Sequence, residues 1–388
     1  MPSSYYNRRY LPDGSYHTHM TGSSMRLAYV CLQATREGQA SFAHVHEVIR
    51  GLEGRGWSVR LFQPGYASTA RRVGVLRRLL AFLVVQLRTT ASLPWCDVVY
   101  VRCHFGSALI SLLAWIARVP VVQEVNGPYA DAFIAWPRLR WVSWLVTGSI
   151  RLQLKLARGV IVVTPGLAGW VEQEIGRRDA CVIPNGANVD VFRPSAVGRS
   201  RQGRPYAIFF GALAPWQGVP TLIDAAAHPS WPVEVDLLVV GEGVELDRLR
   251  QAAAENPLVL VVGAKGYLEM PPLIGGSIAG LVPKNDLGDR TSTGLSPLKV
   301  YETLACGVPC IVTDFPGQAE LIREGNCGVV IPPGDPAALA LAVRMLWESP
   351  SERERMGRAA RELIVAHHSW DVRAGATARL LDGLVARS

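Results

Sequence analysis

Apolar residues recur along the chain in short continuous runs separated by helix-length amphipathic stretches. From Met25 the order is a strand, MRLAYVCL, a loop, QATREGQ, and a helix to about Leu52, followed by a second strand, SVRLFQP. Further strand-like runs lie at Asp97–Val101, Val119–Val125 and Gly159–Thr164. Runs such as VVYV and VIVV are apolar throughout rather than alternating, the mark of strands covered on both faces of a parallel sheet. Strands alternating with helices predict a doubly wound α/β architecture. The segment 184–204, PNGANVDVFRPSAVGRSRQGR, breaks the rhythm with Pro, Gly, Asn and Arg and is predicted to be an interdomain linker. The pattern then restarts with YAIFFG, a helix from about Thr221, VDLLVVG, a helix near Glu245–Asn256, LVLVVG, IAGLVP, a helix near Pro297–Cys306, PCIVTD and a long terminal helical region. The chain is therefore predicted to hold two tandem Rossmann-like domains, 25–200 and 201–368. A polar tail, 1–24, precedes them, and a helix, 369–388, is expected to pack back on the first domain.

A length of 388 residues agrees with two cores, since single cores stop growing near roughly 250–300 residues. A mean hydropathy of +0.17 excludes disorder for most of the chain. The formal charge of +8 calls for an anionic partner: nucleotide, acidic lipid surface or nucleic acid. No zinc, helix-turn-helix or RNP-like pattern supports nucleic acid. The seven cysteines are scattered without a CxxC pair, which fits buried thiols of a reducing compartment. No secretory signal and no spanning helix are expected, so the chain is read as cytoplasmic. His17 and His19 lie in the polar tail and are read as a frayed end rather than a metal site. The basic residues are almost all arginine; the lysines are Lys155, Lys265, Lys284 and Lys299.

Lys299 lies in the most informative segment, TSTGLSPLKVYETLACGVP (291–309). Ser296 is expected to be an N-cap and Pro297 the first helical residue, which puts Lys299 in the first turn. A cation is disfavoured there by about 0.3–1 kcal/mol against the helix dipole. A bound diphosphate would reverse the sign, because free N–H groups, dipole and ammonium would converge on it. Glu302, three residues on, shares the helical face and could accept the hydroxyls of a ribose. The competing reading is an ordinary surface ion pair between Lys299 and Glu302.

The tandem βα layout, the PNG linker and this segment resemble retaining glycosyltransferases of family four, which have the GT-B fold of two facing Rossmann-like domains. Common members carry Glu, seven residues, then Glu, followed by an Ala-Cys/Ser-Gly-x-Pro stretch. Here Glu302, Ala305, Cys306, Gly307 and Pro309 match, and Gly294 stands at the first Glu. The sequence is similar to the branch that reads Ser-Pro-Leu-Lys. The resemblance implies that Glu302 holds the donor ribose while Ser296, Leu298 and Lys299 border the phosphate. In FFGALAPWQGVPTLIDAA (209–226), Ala212 and Gln217 replace the Arg and Lys that relatives use on the diphosphate; Gly211 and Gln217 remain candidate donor contacts. Lys265, in the strand-end loop VVGAKGY, is a candidate base or phosphate contact, against an exposed turn lysine.

In the first domain the resemblance aligns Gly38 with a glycine-rich turn near the donor. Asn126 stands where relatives carry His and is expected near the donor sugar; Glu124 shares its strand face. His44 and the strand-end Arg102 are candidate acceptor contacts, and Glu124 is a candidate for binding the acceptor hydroxyl or donor sugar; the alternatives are structural roles for His44 and Glu124 and surface solvation for Arg102. What the resemblance implies is sugar transfer from a nucleotide diphosphate sugar (UDP or GDP) with retention. The acceptor would be a glycan, glycolipid or small molecule, as in polysaccharide or glycolipid assembly. No metal or cofactor is expected, because no Asp-x-Asp stands beside a strand. RRVGVLRRLLAFLVVQLR (71–88), with Arg71, Arg72, Arg77, Arg78 and Arg88, and the Trp-rich 136–158 suggest peripheral binding to an anionic membrane. Two alternatives stay open: a soluble small-molecule glycosyltransferase, and a non-catalytic subunit, the latter motivated by Gly294, Ala212 and Gln217.

Overall fold

The computed structural model describes residues 24–33, 35, 39–66, 74–195 and 203–387, with nothing stated of the Ala135 side chain. Gly38, Arg71, Arg72, His17 and His19 lie outside the described residues. Two parallel six-stranded sheets account for the strands. The first contains β1 (Arg26–Cys31), β2 (Ser58–Phe62), β3 (Val98–Arg102), β4 (Val121–Val125), β5 (Gly159–Val162) and β6 (Cys181–Val182), in the order β2-β1-β3-β4-β5-β6. The second contains β7 (Tyr206–Phe210), β8 (Asp236–Val240), β9 (Val259–Val261), β10 (Ala279–Val282), β11 (Cys310–Thr313) and β12 (Gly328–Ile331), in the order β12-β11-β10-β7-β8-β9.

The described residues of Met1–Arg36, His44–Ile183 and Ala374–Ser388 pack as one compact unit, and those of Glu37–Ala43 and Pro184–Arg373 as another. Every residue of β3, β4, β7 and β8 is buried, as expected for strands with helices on both faces. The first unit is filled by side chains such as Val30, Val99, Val101, Val160 and Leu154. Phe209, Leu222, Trp231, Leu237 and Val343 fill the second.

The unit boundary falls at Pro184, before the linker rather than at its end near residue 200. Local bonding gives the reason. Asn185 donates its backbone N–H to the Ser296 hydroxyl (3.1 Å) and its side-chain amide to the Ser296 carbonyl (2.6 Å). Ala187 forms an isolated parallel bridge with Ser369. The PNG segment is thus a packed part of the second unit. The terminal helix spans Trp370–Val385, and from Ala374 on its residues belong to the first unit, where Leu384 lies against Gly159.

In each sheet the chain runs outward in one direction, then returns to the other side of its first strand. The connection reverses between β1 and β3 in the first sheet and between β7 and β10 in the second. The crevice at the carboxyl ends of such a pair is where open parallel sheets bind ligands.

Candidate donor-binding site

The β7/β10 reversal gathers the second unit's distinctive side chains. Lys299 enters from the helix Leu298–Ala305, whose N-cap is Pro297 in extended backbone (φ −76°, ψ 128°) with no side-chain cap. That corrects the expected cap. The Ser296 hydroxyl instead accepts from Asn185 and lies 2.9 Å from the Tyr301 hydroxyl. A helix start without a side-chain cap keeps its first N–H groups and positive dipole end available to an anion.

The Lys299 side chain is buried, only 9 % exposed. Its Nζ lies 4.0 Å from the centroid of the Phe209 ring and donates to Gln217 Oε1 at 3.1 Å. Gln217, which replaces the usual lysine of the loop, therefore accepts from a cation supplied by another element. Gly211, at the end of β7, has φ 116°, and a Cβ there would stand 3.3 Å from Nζ. Burial, then the charge of Lys284, pushes the Lys299 ammonium well below its ordinary value, opposed by Glu302. Among the described residues no carboxylate lies within ion-pairing distance of Lys299, so the surface-pair reading of Lys299 and Glu302 does not hold. Glu302 is half-buried one turn further on.

Lys284 was the residue that sequence reasoning missed. It follows β10 directly, and burial with the nearby charge of Arg290 lowers its ammonium to about 8. The nearest acid in the chain, Asp286, is occupied in its own loop, accepting from Gly288 N–H and the Thr291 hydroxyl. The signal in the sequence was the lysine scarcity together with the position right after a strand. Lys265 has the surroundings of its second expected reading, an exposed turn lysine. It follows the edge strand β9 and pairs with Glu269 across one helical turn at 3.4 Å, an exposed surface contact.

Gly294 has φ 88°, a left-handed backbone that side chains rarely adopt. The carboxylate that many relatives place there would need a different backbone, not just a different side chain.

Glu124, Arg102, His44 and Asn126 come together in the first unit. The Glu124 carboxylate accepts from Tyr100 Oη (2.7 Å), Tyr29 Oη (3.3 Å), Arg102 Nη1 (2.8 Å) and the Asn126 amide, and lies 2.7 Å from His44 Nε2. Burial alone would raise this carboxyl, but the His44 and Arg102 charges and the hydrogen bonds from His44 and Asn126 pull it well below the carboxylate range. Arg102 is 8 % exposed and also bonds Gln33 at 2.9 Å. Arg102 thus offers no free charge to an acidic acceptor. The network reads as a neutralised structural hub at the ends of β3 and β4, with Asn126 at its margin.

Comparison with known proteins fits this geometry. Residues 193–363 match the family model "Glycosyl transferases group 1", and residues 42–191 match "Glycosyltransferase Family 4". A phosphatidyl-myo-inositol mannosyltransferase of Mycobacterium leprae is 26 % identical over 92 % of this chain and 96 % of its own length. A glycogen synthase of Mycobacterium tuberculosis is 30 % identical over 73 % of this chain and 68 % of its own. The crystal structure of Anabaena HepE in complex with UDP-glucose superposes with a TM-score of 0.70 at 18 % identity, covering 92 % of this chain and all of that one. The chain is a glycosyltransferase that uses a nucleotide sugar, and it belongs to family four, with the two-domain Rossmann-like GT-B fold.

Proposed function

We propose that the enzyme transfers a hexosyl group, with retention, from a UDP- or GDP-sugar to an acceptor hydroxyl on a lipid-linked glycan precursor, at the cytoplasmic face of a membrane. The observation that carries the donor half is the Lys299 ammonium. It is buried, seated on an aromatic ring at an uncapped helix start, and has no carboxylate partner among the described residues. A buried cation without a counter-charge is costly, and a diphosphate removes that cost. In this reading Lys299 and Lys284 take the diphosphate oxygens, helped by the helix N-terminus and by Gly211, Ser296 and Leu298 around it. Gln217 orients the Lys299 ammonium, and Glu302 accepts the ribose hydroxyls. Asn126 lacks the basicity to remove a proton, so the departing β-phosphate takes the acceptor proton. The protein then works by positioning and by stabilising the negative charge that develops on the leaving group.

Support for a membrane surface comes from the helix Val75–Ala91. It exposes Val75, Leu76, Leu79, Leu80, Leu83, Val84 and Leu87 beside Arg77 and Arg88. Trp141 and Trp144, in the later segment Pro137–Leu156, are exposed by 89 % and 70 %. Among the described residues no helix is long and apolar enough to cross a membrane. Basic, aromatic-bearing amphipathic surfaces bind anionic interfaces.

Turnover of UDP-, GDP- and dTDP-sugars by the wild type and Lys299→Met tests the donor assignment. The expected result is one preferred base, and loss of nucleotide binding in a variant whose circular dichroism is unchanged. Undiminished turnover by folded Lys299→Met would overturn it.

A further inference from the structure

The first unit contains a cavity of about 1010 Å³ at the carboxyl ends of β1, β3 and β4, beside the β1/β3 reversal. Gln33 and Asn126 border it where the strands end, and Leu79, Phe82, Trp136 and Leu139 supply its apolar walls. Its charged groups are unbalanced: Arg78 and Arg138 against Asp131 alone.

Arg78 is the telling side chain. Its guanidinium stacks 4.2 Å from the Trp136 ring centroid and bonds the Tyr66 hydroxyl, which fixes it at the wall. Its Nε–H is buried and, among the described residues, has no hydrogen-bond partner. His104 is buried beside it and brings no negative charge; its Nδ1 accepts from Gly106 N–H. A fixed guanidinium with an unmatched buried N–H suits an oxyanion such as phosphate.

The apolar walls run into a surface of the same character. Val75 and Leu79 line the cavity and are also 71 % and 55 % exposed on the Val75–Ala91 helix. Val75 and Leu79 thus join the cavity wall to the exposed apolar face of the helix.

We propose that this cavity holds the lipid-phosphate part of the acceptor, one molecule at a time. Its chain lies against Leu79, Phe82, Trp136 and Leu139, and its phosphate sits on Arg78. This rests on the lipid-linked acceptor read above, and charge complementarity with the apolar continuity selects one occupant. Binding of the chain here is a molecular interaction, separate from adsorption of the whole face to a bilayer.

The test is calorimetric titration of the full chain with decyl phosphate held below its micelle-forming concentration. Inorganic phosphate, uncharged decyl maltoside, anionic phospholipid vesicles and UDP are titrated in parallel. The expected result is saturable binding of one decyl phosphate, with inorganic phosphate and decyl maltoside both weaker. Arg78→Gln is expected to weaken it about tenfold, as for loss of one charge-assisted hydrogen bond. Leu79→Glu, a substitution at a largely exposed position, is expected to weaken it at least as much. Both variants should bind UDP as the wild type does, because the donor side chains belong to the other unit. UDP binding therefore reports on the donor reading independently of this one. The proposal is overturned if monomeric decyl phosphate does not bind, or if both variants bind it undiminished. It is equally overturned if only anionic vesicles bind, since the face would then be a bilayer surface and nothing more.

Discussion

Lys284→Met separates what the cation pair does for the ligand from what it does to the unliganded fold. Burial and the Arg290 charge lower the Lys284 ammonium from 10.5 to about 8. Its folded pKa lies below its unfolded one, so the protonated form opposes folding. That opposition is fully present below about pH 8 and fades as pH rises toward the unfolded value near 10.4. The difference, 10.5 − 8, is two to three units, which at about 1.36 kcal/mol each gives an upper bound of about 3 kcal/mol. Because the side chain is only half-buried, solvent screening reduces this to about 1–3 kcal/mol. Methionine keeps most of the stem and removes the charge. At pH 7 the unliganded variant should therefore melt higher, by about 2–4 °C per kcal/mol for a unit of this size. UDP should bind it about 10–100-fold more weakly, the loss of one charge-assisted contact. The wild type should also take up protons when UDP binds at pH 8.5, since the ligand raises the ammonium's pKa. Calorimetry in buffers of different ionisation heats reads that uptake, which the variant should largely lose. A variant that melts lower, or that binds UDP with wild-type affinity, refutes the reasoning.

Glu124→Gln should cost about 3–5 kcal/mol in a thermal melt, because it leaves Arg102 buried without its counter-charge, while UDP binding persists. The Glu124 folded pKa is depressed, so its stabilisation is present above about pH 4.3 and drains away at lower pH; acid unfolding of the wild type should be steeper than that of the variant. Glu53 has the opposite sign. Burial raises its carboxyl to about 8, so the fold loses stability as pH rises from about 4.3 to 8, and Glu53→Gln should gain about 1–3 kcal/mol over the wild type at pH 8 by denaturant titration. At Gly294, φ 88° makes Ala or Glu cost about 1–2 kcal/mol, so Gly294→Glu should lower the melting temperature without raising turnover.

The strands and the two-unit layout were legible because buried parallel strands must be continuously apolar, and every expected strand run from MRLAYVCL to PCIVTD became one. Lys299 was legible for a related reason: a cation in the first turn of a helix contradicts the local electrostatics and needs an external explanation. The details that escaped are those set by distant partners. Ser296 is a good N-cap by type, yet its hydroxyl is taken by Asn185, 111 residues away in sequence. Arg102 reads as a strand-end charge, but β3 and β4 are adjacent, and that pairing puts Glu124 within 2.8 Å of it. Lys265 and Lys284 both follow strands; only the sheet order shows that one strand is an edge and the other borders the reversal.

The two units treat buried charge at their strand ends in opposite ways, and that contrast is what supports the proposed donor site. In the first, the Arg102 guanidinium meets a carboxylate that also receives two tyrosine hydroxyls, an asparagine amide and a histidine, so the charge is answered within the protein. In the second, burial and the Lys284 charge lower the protonation of Lys299 against the opposing Glu302 charge, and the partners at hand for its ammonium are one amide oxygen and one aromatic face. Neither supplies a full negative charge, and water is largely excluded from Lys299. Such an arrangement is stable only at a cost to the empty protein, and that cost ends when an anion enters. A polyanion binding here would gain both cations' attraction with most of the desolvation of Lys299 already complete, the property expected of a preorganised diphosphate site. In the proposed reading the same groups face the leaving nucleoside diphosphate as its charge grows, so the feature that would bind the donor would also lower the barrier to breaking its sugar bond.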